Sequence, residues 1–290
     1  MVFASQYLNL RNKHYWTSFA PEFHIENNNR PLALVDPGEA TKSLADNWMR
    51  REGYFQCKQI LNTDEIKAMA KLVKKLVATN HHPVFSFVYD EFWQIQAKLK
   101  PLIENFIGEG YTLRPCFWTW HLDPQREDAG WKPHRDGNAE TVNADGTTKV
   151  LSLWIPLTDP NPLNGCMYVV PMNRENKDLT NLTPGMDFSL SDVMALPGQA
   201  GDAFFWNHWV VHWGGKASKR APEARISIAY ELEEANSNIV NAPLLNPLEL
   251  PSFEARLRMI AYQIKQYTHM YKFSEELLNF SQEVLEKVPS

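Results

Sequence analysis

The sequence is short of the residues that mark specialised chains. Among 290 residues there are three cysteines, Cys57, Cys116 and Cys166, at separations that suit neither a paired framework nor a zinc cluster. A secreted disulfide scaffold and a cysteine-type zinc module are excluded, and a reducing, cytoplasmic setting is the expectation. Thirteen glycines and 19 prolines are too few for a fibrous or low-complexity chain. No apolar run reaches bilayer-spanning length, and Met1–Arg30 lacks a basic start followed by an apolar stretch, so no membrane association is expected. Positive charge is also in deficit: 29 Lys and Arg against 34 Asp and Glu give a net charge of −5, which removes the usual electrostatic footprint of a nucleic-acid binder.

What the chain does have is tryptophan. Trp118, Trp120, Trp131, Trp154, Trp206, Trp209 and Trp213 crowd into one stretch, as strand-rich cores and ring-lined pockets both require. Residues 1–45 are polar and broken by Asn27–Asn29, Pro31 and Pro37-Gly38, which predicts an arm packed over the rest. A helical flank is predicted over 46–110. Leu44, Trp48 and Met49 recur at helical spacing, and Asn62–Glu65 offers a cap before Ile66, Met69, Ala70, Val73 and Leu76. Glu91–Ile107 reads as one further helix, with Phe92, Ile95, Leu99, Ile103 and Phe106 inward.

At Tyr111 the texture changes. Short aromatic and β-branched runs at 111–123, 149–157, 166–170, 202–206, 209–213 and 224–232 alternate with turn material such as Asn143–Gly146, Asp159–Gly165 and Gly214-Gly215. This spacing predicts a mainly β core, an antiparallel sandwich or barrel over 111–235, with helices flanking it in one domain. After 236 the helical period returns as a C-terminal extension, with Phe253, Leu257, Ile260, Ile264, Tyr267 and Tyr271 along one face.

The residues suited to chemistry are His134-Arg135-Asp136, His212 and Arg225-Ile226-Ser227. On a strand, residues two apart share a face, so His134 and Asp136 can aim an imidazole and a carboxylate at one point. A third ligand from a distant strand completes a facial set of two histidines and one carboxylate, which leaves positions on the metal open. The guanidinium of Arg225 suits bidentate capture of a carboxylate, and the Ser227 hydroxyl lies on the same strand face. A second His-x-Asp pair, His121 and Asp123, competes on pattern alone. His134–Asp136 also mimics a kinase catalytic loop, but Thr141 stands where that loop needs asparagine. His208 and His212 have the spacing of a zinc helix, but the general-base glutamate is missing.

From Tyr111 to Leu232 the chain resembles the phytanoyl-CoA dioxygenase family of Fe(II)/2-oxoglutarate oxygenases. The resemblance lies in His134–Gly137, Val150–Leu157, Asn164–Pro171, Gly201–Ala203, His212 and Arg225, in family order. It implies a double-stranded β-helix (a cupin-like jelly roll), with Fe(II) on His134, Asp136 and His212. It further implies 2-oxoglutarate on Arg225 with Trp154 beside it, O2 as the oxidant, and a pocket wall that includes Trp118, Trp120 and His121. Two departures stand out. Met172-Asn173-Arg174 replaces the family's common turn after Pro171, and Gly214 occupies a place where a hydroxyl residue can assist the cosubstrate, a role Ser227 is suited to take. Asp136 is a carboxylate where halogenating relatives have a small residue, so halogenation is disfavoured.

The expected function is therefore oxidation, by default hydroxylation, of an aliphatic C–H bond in a small molecule, with succinate and CO2 released. Arg126, Arg135 and Arg174 are candidates for meeting an anionic substrate, and Arg174–Asp192 is long enough to form a lid. The rival readings are a non-catalytic binding module, a cupin-like metal protein that works without 2-oxoglutarate, and an interaction protein. For the last, residues 253–285 would pair with a copy of the chain, which would equally make an enzyme a homodimer.

Overall fold

The computed structural model describes residues 9–29, 31–174, 188–235, 237, 239 and 243–286. The predicted lid at Arg174–Asp192 falls largely outside them. Among the described residues no helix is long and apolar enough to cross a membrane.

The N-terminal arm contains α1 (Lys13–Phe19), started by Asn12, whose side chain accepts from the His14 N–H. It then runs against the start of α4 (Glu91–Ala97), where the fully buried Asp90 accepts the backbone N–H groups of Glu26 and Asn27. Arg256 pairs with the same carboxylate at 2.7 Å, and neither side chain is exposed. The cost of burying this pair is offset in part because Arg256 Nε and Nη1 also donate to the carbonyls of Pro251 and Val88. Arm, flank and C-terminal helices are thus tied at one point.

In the flank, α2 (Glu39–Glu52) ends at Gly53 in the left-handed conformation, and α3 (Thr63–Ala78) begins where the Asn62 side chain accepts from Asp64 and Glu65. The predicted inner face of α3 is buried. That of α2 is not: Met49 is buried, but Leu44 and Trp48 are exposed. Nor is the flank wholly helical. β1 (Tyr54–Cys57) lies between α2 and α3 and adds a strand to the major sheet. The single helix expected at Glu91–Ile107 is two, α4 and α5 (Lys100–Ile107), because Pro101 near the start of α5 lacks the N–H that a continuous helix needs. Its five predicted inward residues are all buried.

Among the described residues seven further strands follow: β2 (Thr112–Leu122), β3 (Val150–Pro156), β4 (Met167–Val170), β5 (Met194–Leu196), β6 (Ala203–Asn207), β7 (Val211–Gly214) and β8 (Arg225–Glu233). Together with β1 they form a five-stranded antiparallel sheet in the order β1-β6-β3-β8-β2 and a three-stranded sheet in the order β5-β4-β7. This is a double-stranded β-helix flanked by helices. Alternation divides each central strand between two environments. Leu151, Leu153 and Ile155 of β3, with Ile226, Ile228, Tyr230 and Leu232 of β8, pack outward in the main helix-covered core. Trp154 joins Phe204, Trp206, Val169 and Leu196 in a separate inner cluster. Burying each such side chain contributes roughly 1.5–3 kcal/mol, so a register slip that exchanged the faces would be prohibitive.

The long C-terminal helix also divides, into α6 (Phe253–Gln266) and α7 (Glu275–Glu286), separated by a 3-10 turn at Tyr267–His269 and an extended link. The face from Phe253 to Tyr267 is buried as expected, whereas Tyr271 lies beyond the helix and meets the rings of Trp118 and Trp120.

Candidate metal centre

His134 and His212 exchange both backbone hydrogen bonds, 3.1 and 2.9 Å, as a directly opposed antiparallel pair. Directly opposed side chains project to the same side, and here the two rings lie 4.4 Å apart. His134 makes this bridge outside any strand, which corrects the expectation that His134 and Asp136 share a strand face. Asp136 reaches the same point from the turn that follows, where Gly137 donates to the His208 carbonyl. A β-carbon on Gly137 would come within 2.8 Å of Thr141, so the turn closes tightly only with glycine.

One donor atom from each of His134, Asp136 and His212 lies within 4.8 Å of the others, the sole such cluster of three among the described residues. The carboxylate faces both rings, with Oδ1 at 3.4 Å from His134 Nε2 and Oδ2 at 3.5 Å from His212 Nε2. Each Nδ1 instead meets a backbone carbonyl, Lys132 at 2.7 Å and Val210 at 3.0 Å. A carbonyl only accepts, so each Nδ1 carries a proton and each Nε2 is the atom turned inward, able to give its lone pair to a metal that displaces any proton held there. The Nε2 of His134 is buried without a hydrogen-bond partner. Burial would raise the Asp136 carboxyl, but the His212 and His134 rings outweigh it and hold that carboxyl well below the usual carboxylate range. An ionised carboxylate and two inward Nε2 atoms, one of them buried without a hydrogen-bond partner, fit a divalent first-row metal.

The Asp136 carboxylate is itself held. Ser152 Oγ and Trp206 Nε1 both donate to Oδ2, at 2.7 and 3.1 Å. Sequence reasoning missed this pair, although Ser152 lies two residues before Trp154 on one strand face and so had to point inward with it.

Beyond the cluster, Arg225 is 1% exposed and has no carboxylate partner among the described residues. Its guanidinium lies 5.5 Å from the Trp154 ring and 5.9 Å from that of Trp120, and its Nη1 meets the Met167 sulfur at 3.4 Å. Burial pushes its pKa down to about 10, which leaves it a cation at neutral pH. The Arg225 Nε, the Ser227 Oγ and the Trp154 Nε1 are all buried without a hydrogen-bond partner. Isolated buried charge and unmet buried polar groups are costly, so an anion or another hydrogen-bonding group would satisfy them.

Gly214 explains its own departure from the expected hydroxyl residue. A β-carbon there would come within 2.8 Å of the Gly130 backbone, and one on Gly130 within 2.4 Å of Gly214. The chains cross too closely for either to carry a side chain.

A cavity of about 70 Å³ connects the cluster with Arg225, and its lining includes Trp118, Trp120, Trp131 and Tyr267. Tyr267 packs on Trp118 and Trp131 with ring centres 4.6 and 5.0 Å away, so the turn after α6 roofs the centre. Trp131 and Tyr267 escaped the sequence reading of the site because they come from a loop and a distant helix end.

The other predicted residues fall elsewhere. His121 lines a neighbouring cleft of about 490 Å³ rather than this cavity, whereas Trp118 and Trp120 border both. Asp123 caps a short turn by accepting from Gln125, and Arg126 pairs with Asp128, which gives the competing His121–Asp123 pair no third ligand. Arg135 lies over the Trp209 ring at 4.0 Å and donates to the Trp209 carbonyl. Arg174 contacts the Met194 sulfur.

The sequence profile described as Phytanoyl-CoA dioxygenase (PhyH) matches residues 47–221, more than half of the chain. The match takes in His134, Asp136 and His212; Arg225 and Ser227 lie just beyond it. No curated protein matches the chain by sequence. Solved structures share the fold at low identity. The non-haem α-ketoglutarate-dependent epimerase SnoN from nogalamycin biosynthesis is 18% identical, with a TM-score of 0.54 over 75% of this chain and 95% of its own. SnoN has also been solved with Fe3+, α-ketoglutarate and nogalamycin RO. The carbocyclase SnoK of the same biosynthesis is 17% identical, with a TM-score of 0.52 over 69% and 87% of the two chains. The non-haem monooxygenase ThoJ is 11% identical, with a TM-score of 0.57 over 82% and 99%.

Proposed function

The chain belongs to the phytanoyl-CoA dioxygenase family of Fe(II)- and 2-oxoglutarate-dependent oxygenases, and from that premise we propose that it hydroxylates an aliphatic C–H bond of a small molecule. His134, Asp136 and His212 would hold the iron. Arg225 and Ser227 would receive the distal carboxylate of 2-oxoglutarate, with Trp154 against it. When bound, iron and cosubstrate supply the oxidising power to break an unactivated C–H bond, consuming O2 and releasing succinate and CO2.

The chain's own contribution is position and exclusion. Ser152 and Trp206 fix the plane of the Asp136 carboxylate, and the Lys132 and Val210 carbonyls fix both imidazole tautomers. Arg225 is already desolvated, so a carboxylate that reaches it meets a full positive charge in a medium that screens little. The rings of Trp118, Trp131 and Tyr267 keep bulk water from the centre.

The observation that carries this reading is the fully buried Arg225 without an acid partner, in the same cavity as two histidines and a carboxylate. A cupin-like metal protein that works without 2-oxoglutarate would have no use for that cation. The test is an anaerobic titration of Fe(II) and 2-oxoglutarate into apo-protein, followed by the visible charge-transfer absorption of the chelate. We expect the band in wild type and its loss in Arg225→Ala. Normal Fe(II) binding without a band would favour the 2-oxoglutarate-independent alternative, and no metal binding would favour a non-catalytic module.

A further inference from the structure

The inner face of β8 carries Arg225, Ser227, Ala229, Glu231 and Glu233 in alternation, and of its charged residues Arg225 and Glu231, toward opposite ends, line the central cavity. Register places those ends differently. Glu231 lies opposite Ser152 of β3, and Ser152 lies opposite Trp206 of β6, so Glu231 shares a cross-strand row with both donors that hold Asp136. Arg225 pairs with Leu122 at the far end of the strand. The cation thus serves the end remote from that row, and a carboxylate is left level with the metal-binding cluster.

Glu231 is not spent on structure alone. Its Oε2 accepts from Arg114 Nη1 at 2.8 Å, but the same guanidinium also donates to the fully buried Glu233 at 2.7 Å, so one cation serves two acids. Its Oε1 accepts from the Cys116 thiol at 2.9 Å, a neutral donor that leaves the acid's charge in place. Pro115 helps to put that thiol there: it has no N–H for the ladder, and the β2 register shifts between Leu113 and Phe117. His208, with a side chain 1% exposed, points Nε2 at Oε2 from 3.8 Å, and neither of its ring nitrogens has a hydrogen-bond partner. One guanidinium shared by Glu231 and Glu233 leaves a net negative charge, and of the two acids it is Glu231 that lines the cavity. Aromatic faces complete the surroundings, with the Tyr267 hydroxyl 3.8 Å from the Cys116 sulfur and its ring against Trp118 and Trp131. A carboxylate beside aromatic rings is the chemistry that recognises an ammonium group.

We propose that Glu231 is a specificity-determining residue that binds a protonated amine on the substrate, so the substrates are amine-bearing small molecules. This rests on the proposed function, because it takes the metal end of the cavity as the place of reaction.

The test uses protein loaded anaerobically with Fe(II) and 2-oxoglutarate, and three probes with one skeleton: cyclohexylmethylamine, cyclohexylmethanol and cyclohexanecarboxylate. Tryptophan fluorescence reads probe binding, and the charge-transfer band reads the loaded centre in the same sample. The amine is expected to bind at least tenfold more tightly than the alcohol, and the carboxylate least. Glu231→Gln should abolish the amine's advantage while keeping the band, and Glu231→Asp should restore part of it. A purely structural Glu231 would alter thermal stability without changing the order of the probes. A band in wild type without amine preference, or a preference that survives in Glu231→Gln, overturns this inference alone. No band in wild type overturns the proposed function and this inference with it.

Discussion

Trp206 Nε1 donates to Asp136 Oδ2 at 3.1 Å, joining an inward strand residue of β6 to a carboxylate in a turn 70 residues earlier. With Ser152 on the same oxygen, the acid has its plane set before any ion arrives. Trp206→Phe keeps the ring and removes the donor. We expect metal affinity to fall roughly 10- to 100-fold, and further in the double variant with Ser152→Ala. Competition against a chromophoric chelator measures this, and unchanged affinity in both variants would show that the hydrogen bonds do not orient the ligand.

Arg225 should affect stability and binding in opposite directions. Without ligand it is a buried cation facing no acid, so Arg225→Met should raise the stability of apo-protein, by on the order of 1–3 kcal/mol. The same change should weaken 2-oxoglutarate binding roughly 30-fold or more and abolish the thermal stabilisation the ligand gives wild type. Melting curves with and without 2-oxoglutarate check both. A destabilised apo variant that still responds to the ligand would contradict the assignment.

His81 gives the fold an acid limit away from the centre. Its ring is buried between the Tyr15 hydroxyl at 2.8 Å and the Thr79 hydroxyl at 2.9 Å, and burial pushes its pKa from 6.5 down to about 4. Above about pH 6.5 neither folded nor unfolded chain holds a proton here, and the effect is absent. As pH falls from 6.5 towards 4 the unfolded chain takes a proton that the folded ring refuses, so stability falls, by on the order of 2 kcal/mol. Denaturant unfolding at pH 7.5 and 4.5 should show this loss in wild type and a smaller one in His81→Gln. Equal losses would place the acid sensitivity elsewhere.

Parts of this structure were legible because their signals are local. Six of the eight strands among the described residues announce themselves by β-branched and aromatic runs between turns, and their observed bounds fall within about two residues of the expected ones. β1 and β5 are four and three residues long, too short for a period to emerge, and their pairing is supplied by partners far along the chain. Pro101 marks the break between α4 and α5, but the continuous apolar face on either side of it masked the interruption.

The amino-acid sequence by itself determined the candidate ligand set His134, Asp136 and His212, the cation Arg225 and the inward face of each long strand, because residue chemistry and alternation are properties of the chain alone. Tertiary structure decided the rest. Only the opposed backbone pairing of His134 with His212 brings the donors within reach, and only the crossing of Gly130 over Gly214 excludes a side chain there. Strand register sets Glu231 level with Ser152 and Trp206, and the turn at Tyr267 becomes a roof by packing on rings more than a hundred residues away. Such relations depend on distances between segments remote in sequence, which no local pattern encodes.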